Sequence, residues 1–145
     1  MVPTLWIVLG PLGQSVTAAT LLGAGAHLVF PAREAAIFKA AGVIYGVPVL
    51  GFGLLWAAIA IAITVRTARQ DLPFSLTWWS FTFPVGTCVT GTIGLALATG
   101  SEVLRAAAVV FFIGLVIAWL LVAARTARGA ITGRLFLPTP AAAGP

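Results

Sequence analysis

The stretch LTWWSFTFPVGTCVTGT (residues 76–92) decides how this chain is read. It is apolar enough for a membrane span, yet it holds a proline, two glycines and a row of hydroxyl and thiol side chains. Lipid offers such groups no hydrogen-bond partner, so they must face protein or a water-filled path. At 3.6 residues per turn, Thr77, Ser80, Pro84, Thr87, Cys88 and Gly91 fall within about 100° of one helical face. A proline inside a helix removes one backbone hydrogen bond and bends it. The stretch therefore predicts a kinked membrane helix with one small, polar face.

The rest of the chain fits a membrane. Its 145 residues are 61% apolar and only 8% charged, against roughly 25% charged in soluble domains. Four segments reach the roughly 20 apolar residues that cross a bilayer core: residues 3–26, 36–65, 74–99 and 103–124. The expectation is an all-α integral membrane fold of two helical hairpins over residues 1–126. A Pro/Ala/Gly-rich tail over residues 127–145 is expected to be disordered at its end. The start, MVPTLW, has no basic region or small-residue cleavage site, so no cleaved signal peptide is expected.

An even number of spans puts both termini on one side, together with the loop between the second and third spans. That side carries Arg66, Arg69, Arg125, Arg128 and Arg134 against Asp71. The other carries Arg33, Lys39 and Arg105 against Glu34 and Glu102. The positive-inside rule then predicts a multi-pass protein of the cell membrane with both termini cytoplasmic. Trp6, Trp56, Trp78 and Trp79 fall toward the same side, where tryptophans anchor a helix at the interface. The net charge of +5 reads as topology rather than as a nucleic-acid footprint.

The chain repeats itself. PLGQSVT (residues 11–17) matches PVGTCVT (residues 84–90) at a separation of 73 residues. RTAR recurs at residues 66–69 and 125–128, closing the second and fourth spans. Together, in the same order, the two matches indicate a duplicated hairpin in which spans one and three are equivalent and parallel. Such repeats are common in transport proteins. Pro11, Gln14, Ser15 and Ala18 on span one then accompany Pro84, Thr87, Cys88 and Gly91 on span three as the expected lining of a path. GVIYG (residues 42–46) places Gly42 and Gly46 four apart, a spacing that suits close helix packing.

Several chemistries are excluded by what the spans lack. No ionisable side chain is expected deep in a span, which argues against a proton relay. His27 falls at the outer end of span one, and Cys88 has no base or second cysteine beside it. No nucleophile–base pair or ligand cluster is in view, so neither an enzyme nor a metal or other cofactor is expected. A neutral lining of hydroxyls, glycine backbone and aromatic rings can pass a partly hydrated ion without holding it tightly.

WWSFTFP (residues 78–84) and LGPLGQS (residues 9–15) resemble signatures of the tellurite-resistance/dicarboxylate transporter family, which includes TehA-type bacterial channels and plant slow anion channels. The resemblance implies ten helices in five quasi-symmetric hairpins, with odd helices lining a central pore. The four spans here would be similar to the last two hairpins. Spans one and three would then be pore helices, and the first six helices would lie outside this chain. The resemblance also implies a phenylalanine plug before the bend of the ninth helix, which falls on Phe83, with Phe81 in the other aromatic slot. It implies transport of small inorganic anions or C4-dicarboxylates, and as partners the lipid bilayer, the transported anion, and either the missing N-terminal helices or other copies. A second reading is a non-transporting membrane subunit or truncated remnant that packs through its glycines.

Overall fold

The structure is a computed structural model that describes residues 2–68 and 76–133. It contains four α-helices: α1 (Leu9–Gly25), α2 (Ala32–Ala68), α3 (Thr82–Thr99) and α4 (Glu102–Ile131). Short 3₁₀ segments, Val2–Trp6 and Leu76–Phe81, lead into α1 and α3. No strand occurs among the described residues. Four stretches are long and apolar enough to cross a membrane: Thr4–Leu28, Ala32–Thr67, Trp78–Thr99 and Glu102–Ile131. Arg69, Asp71 and Arg134, used above for topology, lie outside the described residues, as does the tail from residue 134.

α4 continues to Ile131, past the expected end at residue 124 and into the stretch read as tail, whereas the end of α3 carries a clear local signal. Gly100 adopts φ +71 and ends α3, its N–H meeting the Ala96 carbonyl at 2.8 Å. Glycine takes this left-handed conformation without the Cβ clash other residues suffer. Ser101 then caps α4, accepting a hydrogen bond from the Leu104 N–H at 3.4 Å. Two residues thus reverse the chain between α3 and α4. The first hairpin turns through the 3₁₀ segment Ala26–Leu28 and Pro31, and is the longer of the two.

The prolines differ from the mid-helix kink expected of them. Pro11 and Pro84 each occupy the third position of their α-helix, just after the entry segment. A proline there gives up an N–H that has no intrahelical partner in any case. The chain enters each inner helix through a 3₁₀ segment, so neither proline breaks a continuous α-helix at its middle. Pro48 in α2 is the proline that does sit well inside a helix.

α1 and α3 run parallel and pack closely. Gly10 lies by Phe83, Gly13 by Thr87, Thr17 by Thr90 and Thr20 by Gly94, so both chains advance together. α2 runs antiparallel along α1, with Gly42 against Ala19 and Gly46 against Val16 and Leu95. α4 lies along α3, and α2 and α4 are held apart on the outside. A small core of Val16, Leu50 and Leu95 joins the first three helices. The outer helices present Phe52, Leu55, Ile113 and Ile117 outward, as helices bathed in lipid do.

Tryptophans fasten the entry segments to the far ends of the outer helices. The Trp6 Nε1–H donates to Thr64 Oγ1 at 3.0 Å and the Trp79 Nε1–H to Thr126 Oγ1 at 3.2 Å. Trp6 and Trp79 are themselves 73 residues apart. The Trp56 indole donates to the Leu5 carbonyl at 2.8 Å. All lie at the end that carries Arg66, Arg125 and Arg128, while Arg33, Lys39, Glu102 and Arg105 lie at the other.

Candidate functional site

The repeat reappears in three dimensions. α1 begins at Leu9 and α3 at Thr82, again 73 residues apart. Thr17 and Thr90, equivalent by that register, meet hydroxyl to hydroxyl at 2.8 Å on an exposed surface. Each hydroxyl also reaches its own helix: Thr17 donates to the Gly13 carbonyl at 2.9 Å and Thr90 to the Thr87 carbonyl at 3.0 Å as alternatives. A hydroxyl holds one proton and two acceptor sites, so the pair can trade donor and acceptor roles without a charge.

The residues expected to line a path do not share one surface. On α3, Pro84, Thr87, Cys88 and Gly91 are buried against α1. Thr87 Oγ1 lies 2.8 Å from the Pro84 carbonyl and 3.3 Å from that of Leu9. Cys88 Sγ lies 3.9 Å from the same Leu9 oxygen. A Cβ on Gly91 would come within 2.9 Å of the Gly13 carbonyl. This half of the polar stripe is a seam between two helices. The physical reason is packing: small residues let the backbones approach, and hydroxyls bond across the gap.

On α1 the counterparts face elsewhere. Pro11, Gln14 and Ala18 are exposed, and Ser15 is half-buried with its hydroxyl donating to the Leu12 carbonyl at 2.9 Å. Ser80 is half-buried, and Thr77 lies in the entry segment Leu76–Phe81. By the 73-residue register, the outward face of α1 corresponds to the buried face of α3. The two hairpins therefore stack head to tail, the α3 face of one unit on the α1 face of the unit before it.

A different face is open on both inner helices. It carries Thr17 and Thr90 and, at the entry end, Phe83, while Gly86 turns toward Leu115 of α4. Phe83 is 60% exposed, unusual for a large ring on the most buried helix. Its ring leans over Gly10, where a Cβ would lie 3.2 Å from Cε1. Gly10 is the register equivalent of Phe83, so one repeat supplies the ring and the other supplies the room. The described charged residues lie near helix ends; of them Lys39 reaches this side, lining the outer end between α1 and α3 with Thr20, Leu21, Gly94 and Leu97. Arg105 pairs with Glu102 at 3.0 Å at the far end, where His27 Nδ1 lies 2.7 Å from the Ala24 carbonyl. Thr17, Thr90 and Gly10 were not singled out from the sequence as lining residues. The signal was present in the register, which pairs 17 with 90 and 10 with 83.

Comparison with known proteins gives this arrangement a context. A family model described as voltage-dependent anion channel matches residues 1–127. The chain is 32% identical over 134 residues to the sulfite efflux pump SSU1 of Arthroderma otae, covering 88% of this chain and 35% of that protein. It is 30% identical over 122 residues to the uncharacterized transporter MJ0762 of Methanocaldococcus jannaschii, covering 83% of this chain and 32% of the relative. The chain thus spans about a third of the length of these curated relatives. No solved structure gives a significant match. With four apolar helices, a duplicated hairpin and a family match over nearly its whole described length, this multi-pass membrane chain belongs to the voltage-dependent anion channel (SLAC1) family, the one its aromatic–proline motif resembles.

Proposed function

We propose that the chain forms part of a membrane path for small anions, as the C-terminal portion of a ten-helix transporter or channel in the cell membrane with both termini cytoplasmic. The observation that carries this reading is the open face shared by α1 and α3: paired hydroxyls and one exposed phenylalanine, with no charged residue beside Thr17, Thr90 or Phe83 among the described residues. Such a surface binds an ion weakly through hydroxyl dipoles, as conduction requires. Phe83 is the constriction. Thr17 and Thr90 supply the polar lining, with Pro11, Gln14, Ser15 and Ala18 on the flank where a preceding inner helix packs. Thr77 and Ser80 belong to the entry, and Pro84, Thr87, Cys88 and Gly91 hold the lining helix in place. Gly42 and Gly46 set the outer helix close behind.

The relatives named as sulfite efflux pumps favour a small oxyanion as the substrate; C4-dicarboxylates are the alternative cargo. The head-to-tail stacking supports a larger assembly, completed by further hairpins of the same protein or by other copies. The test is sulfite flux into liposomes from the protein assembled with its full set of helices. Phe83→Ala is expected to raise flux, and unchanged flux in a correctly inserted variant would refute the gate. The tight seam between α1 and α3 also suits a second reading, a non-transporting subunit; an intact assembly that passes no anion would favour it.

A further inference from the structure

We infer that the groove between α2 and α4 is a binding site for an anionic phospholipid, with one acyl chain in the groove and the phosphate on Arg125. The groove has a volume of about 440 Å³. Leu50 to Thr64 form one wall, on α2, and Val110 to Val122 the other, on α4. Leu9, Val85 and Cys88 of the inner helices form the floor, and Trp6 and Trp78 close one end. At about 1.5 Å per residue, the α2 wall is about 21 Å long. That is a little more than one leaflet of a hydrocarbon core about 30 Å thick.

The groove is long and lined almost wholly by apolar side chains, a surface that suits an extended hydrocarbon chain. The walls offer almost nothing to a polar solute. Thr64 is already engaged by the Trp6 indole at 3.0 Å and by the Ala60 carbonyl at 2.7 Å, and Cys88 points to the Leu9 carbonyl.

The mouth has the opposite chemistry. Arg125 follows Gly114, Ala118 and Leu121 on the same stripe of α4, about one turn beyond the last wall residues. Its guanidinium sits 4.9 Å from the centroid of Trp78, which itself lines the groove. A cation–π contact of this kind holds the guanidinium beside the ring, and its N–H groups can still donate to a phosphate. The carboxylates among the described residues, Glu34 and Glu102, lie at the opposite end of the helices. An apolar slot one leaflet deep, ending at an arginine beside an interfacial tryptophan, matches an anionic lipid in charge and in length.

Native mass spectrometry of the chain in detergent tests this with phosphatidylglycerol and phosphatidylcholine of matched acyl chains. The wild type should retain phosphatidylglycerol in preference. Arg125→Gln should weaken it about fivefold and leave phosphatidylcholine unchanged. Arg66→Gln removes an arginine from the side of α2 turned away from the groove and should have little effect. Gly114→Leu should reduce retention of both lipids, because its side chain enters space that holds nothing within 4 Å of a Cβ. Circular dichroism checks that each variant keeps its helices. Equal retention of the two lipids, an equal loss from Arg66→Gln, or no loss from Gly114→Leu would overturn the site. So would a chain oligomer that Gly114→Leu dissociates, since the groove would then seat a second copy.

Discussion

Substitution of Gly13 by alanine should force the two inner helices apart. A Cβ built there lies 2.5 Å from the Thr87 carbonyl carbon and 2.6 Å from both the Thr87 oxygen and the Cys88 nitrogen. These are backbone atoms of α3, and no rotamer change moves them away. Ordinary contact begins near 3.4 Å, so α3 must retreat by about 1 Å. That retreat takes the 3.3 Å approach of Thr87 Oγ1 to the Leu9 carbonyl beyond hydrogen-bonding distance and stretches the Thr17–Thr90 pair. Overpacking of this sort costs roughly 1–3 kcal/mol, and a lost interhelical hydrogen bond adds about 0.6 kcal/mol. The better helix propensity of alanine returns at most about 1 kcal/mol. The net expectation is a loss of about 1–3 kcal/mol. Gly114→Ala is the control, because a Cβ there meets nothing within 4 Å and should leave stability unchanged or raise it by up to about 1 kcal/mol. Unfolding in mixed micelles, followed by circular dichroism against the mole fraction of dodecyl sulfate, measures both. If Gly13→Ala unfolds at or above the wild-type midpoint, the close α1–α3 seam is wrong.

The same assay reaches the other contacts. A double-mutant cycle of Thr17→Val with Thr90→Val should return a coupling of about 0.6 kcal/mol; additive effects would mean that the hydroxyls do not meet. Gly100→Ala places a Cβ on a residue at φ +71 and should cost about 1 kcal/mol, despite the open space around it. Trp79→Phe keeps an aromatic ring but loses the hydrogen bond to Thr126, for a cost of about 1 kcal/mol; an unchanged midpoint would deny the fastening role.

Much of the fold was legible because membrane spans are a matter of length and apolarity. The register of 73 residues was legible too, and it located the start of α3 relative to α1; that the equivalent Thr17 and Thr90 touch came from the structure. What periodicity could not supply was azimuth. It fixed that Thr87, Cys88 and Gly91 share a face, but not which neighbour that face meets, and it meets α1. A stripe of small polar residues reads the same whether it lines water or a helix, since both relieve hydroxyls of contact with lipid. The prolines were misread for a related reason. Pro84 looks central in an apolar run, yet the six residues from Leu76 form a 3₁₀ segment, which moves it into the first α-helical turn. Phe83 drew notice through a motif; its exposure and its seat over Gly10 needed coordinates.

That seat has a consequence for how the two halves of the chain can diverge. Phe83 and Gly10 hold the same place in the repeat, and the ring of one fills volume that the other leaves empty. Two faithful copies of either half could not coexist at this level: two phenylalanines would compete for one space, and two glycines would leave it vacant. The duplication is complementary here rather than identical. Positions 10 and 83 should consequently vary as a pair across relatives, with gain of bulk at one answered by loss at the other, while Thr17 and Thr90, further along the same helices, remain free to stay alike.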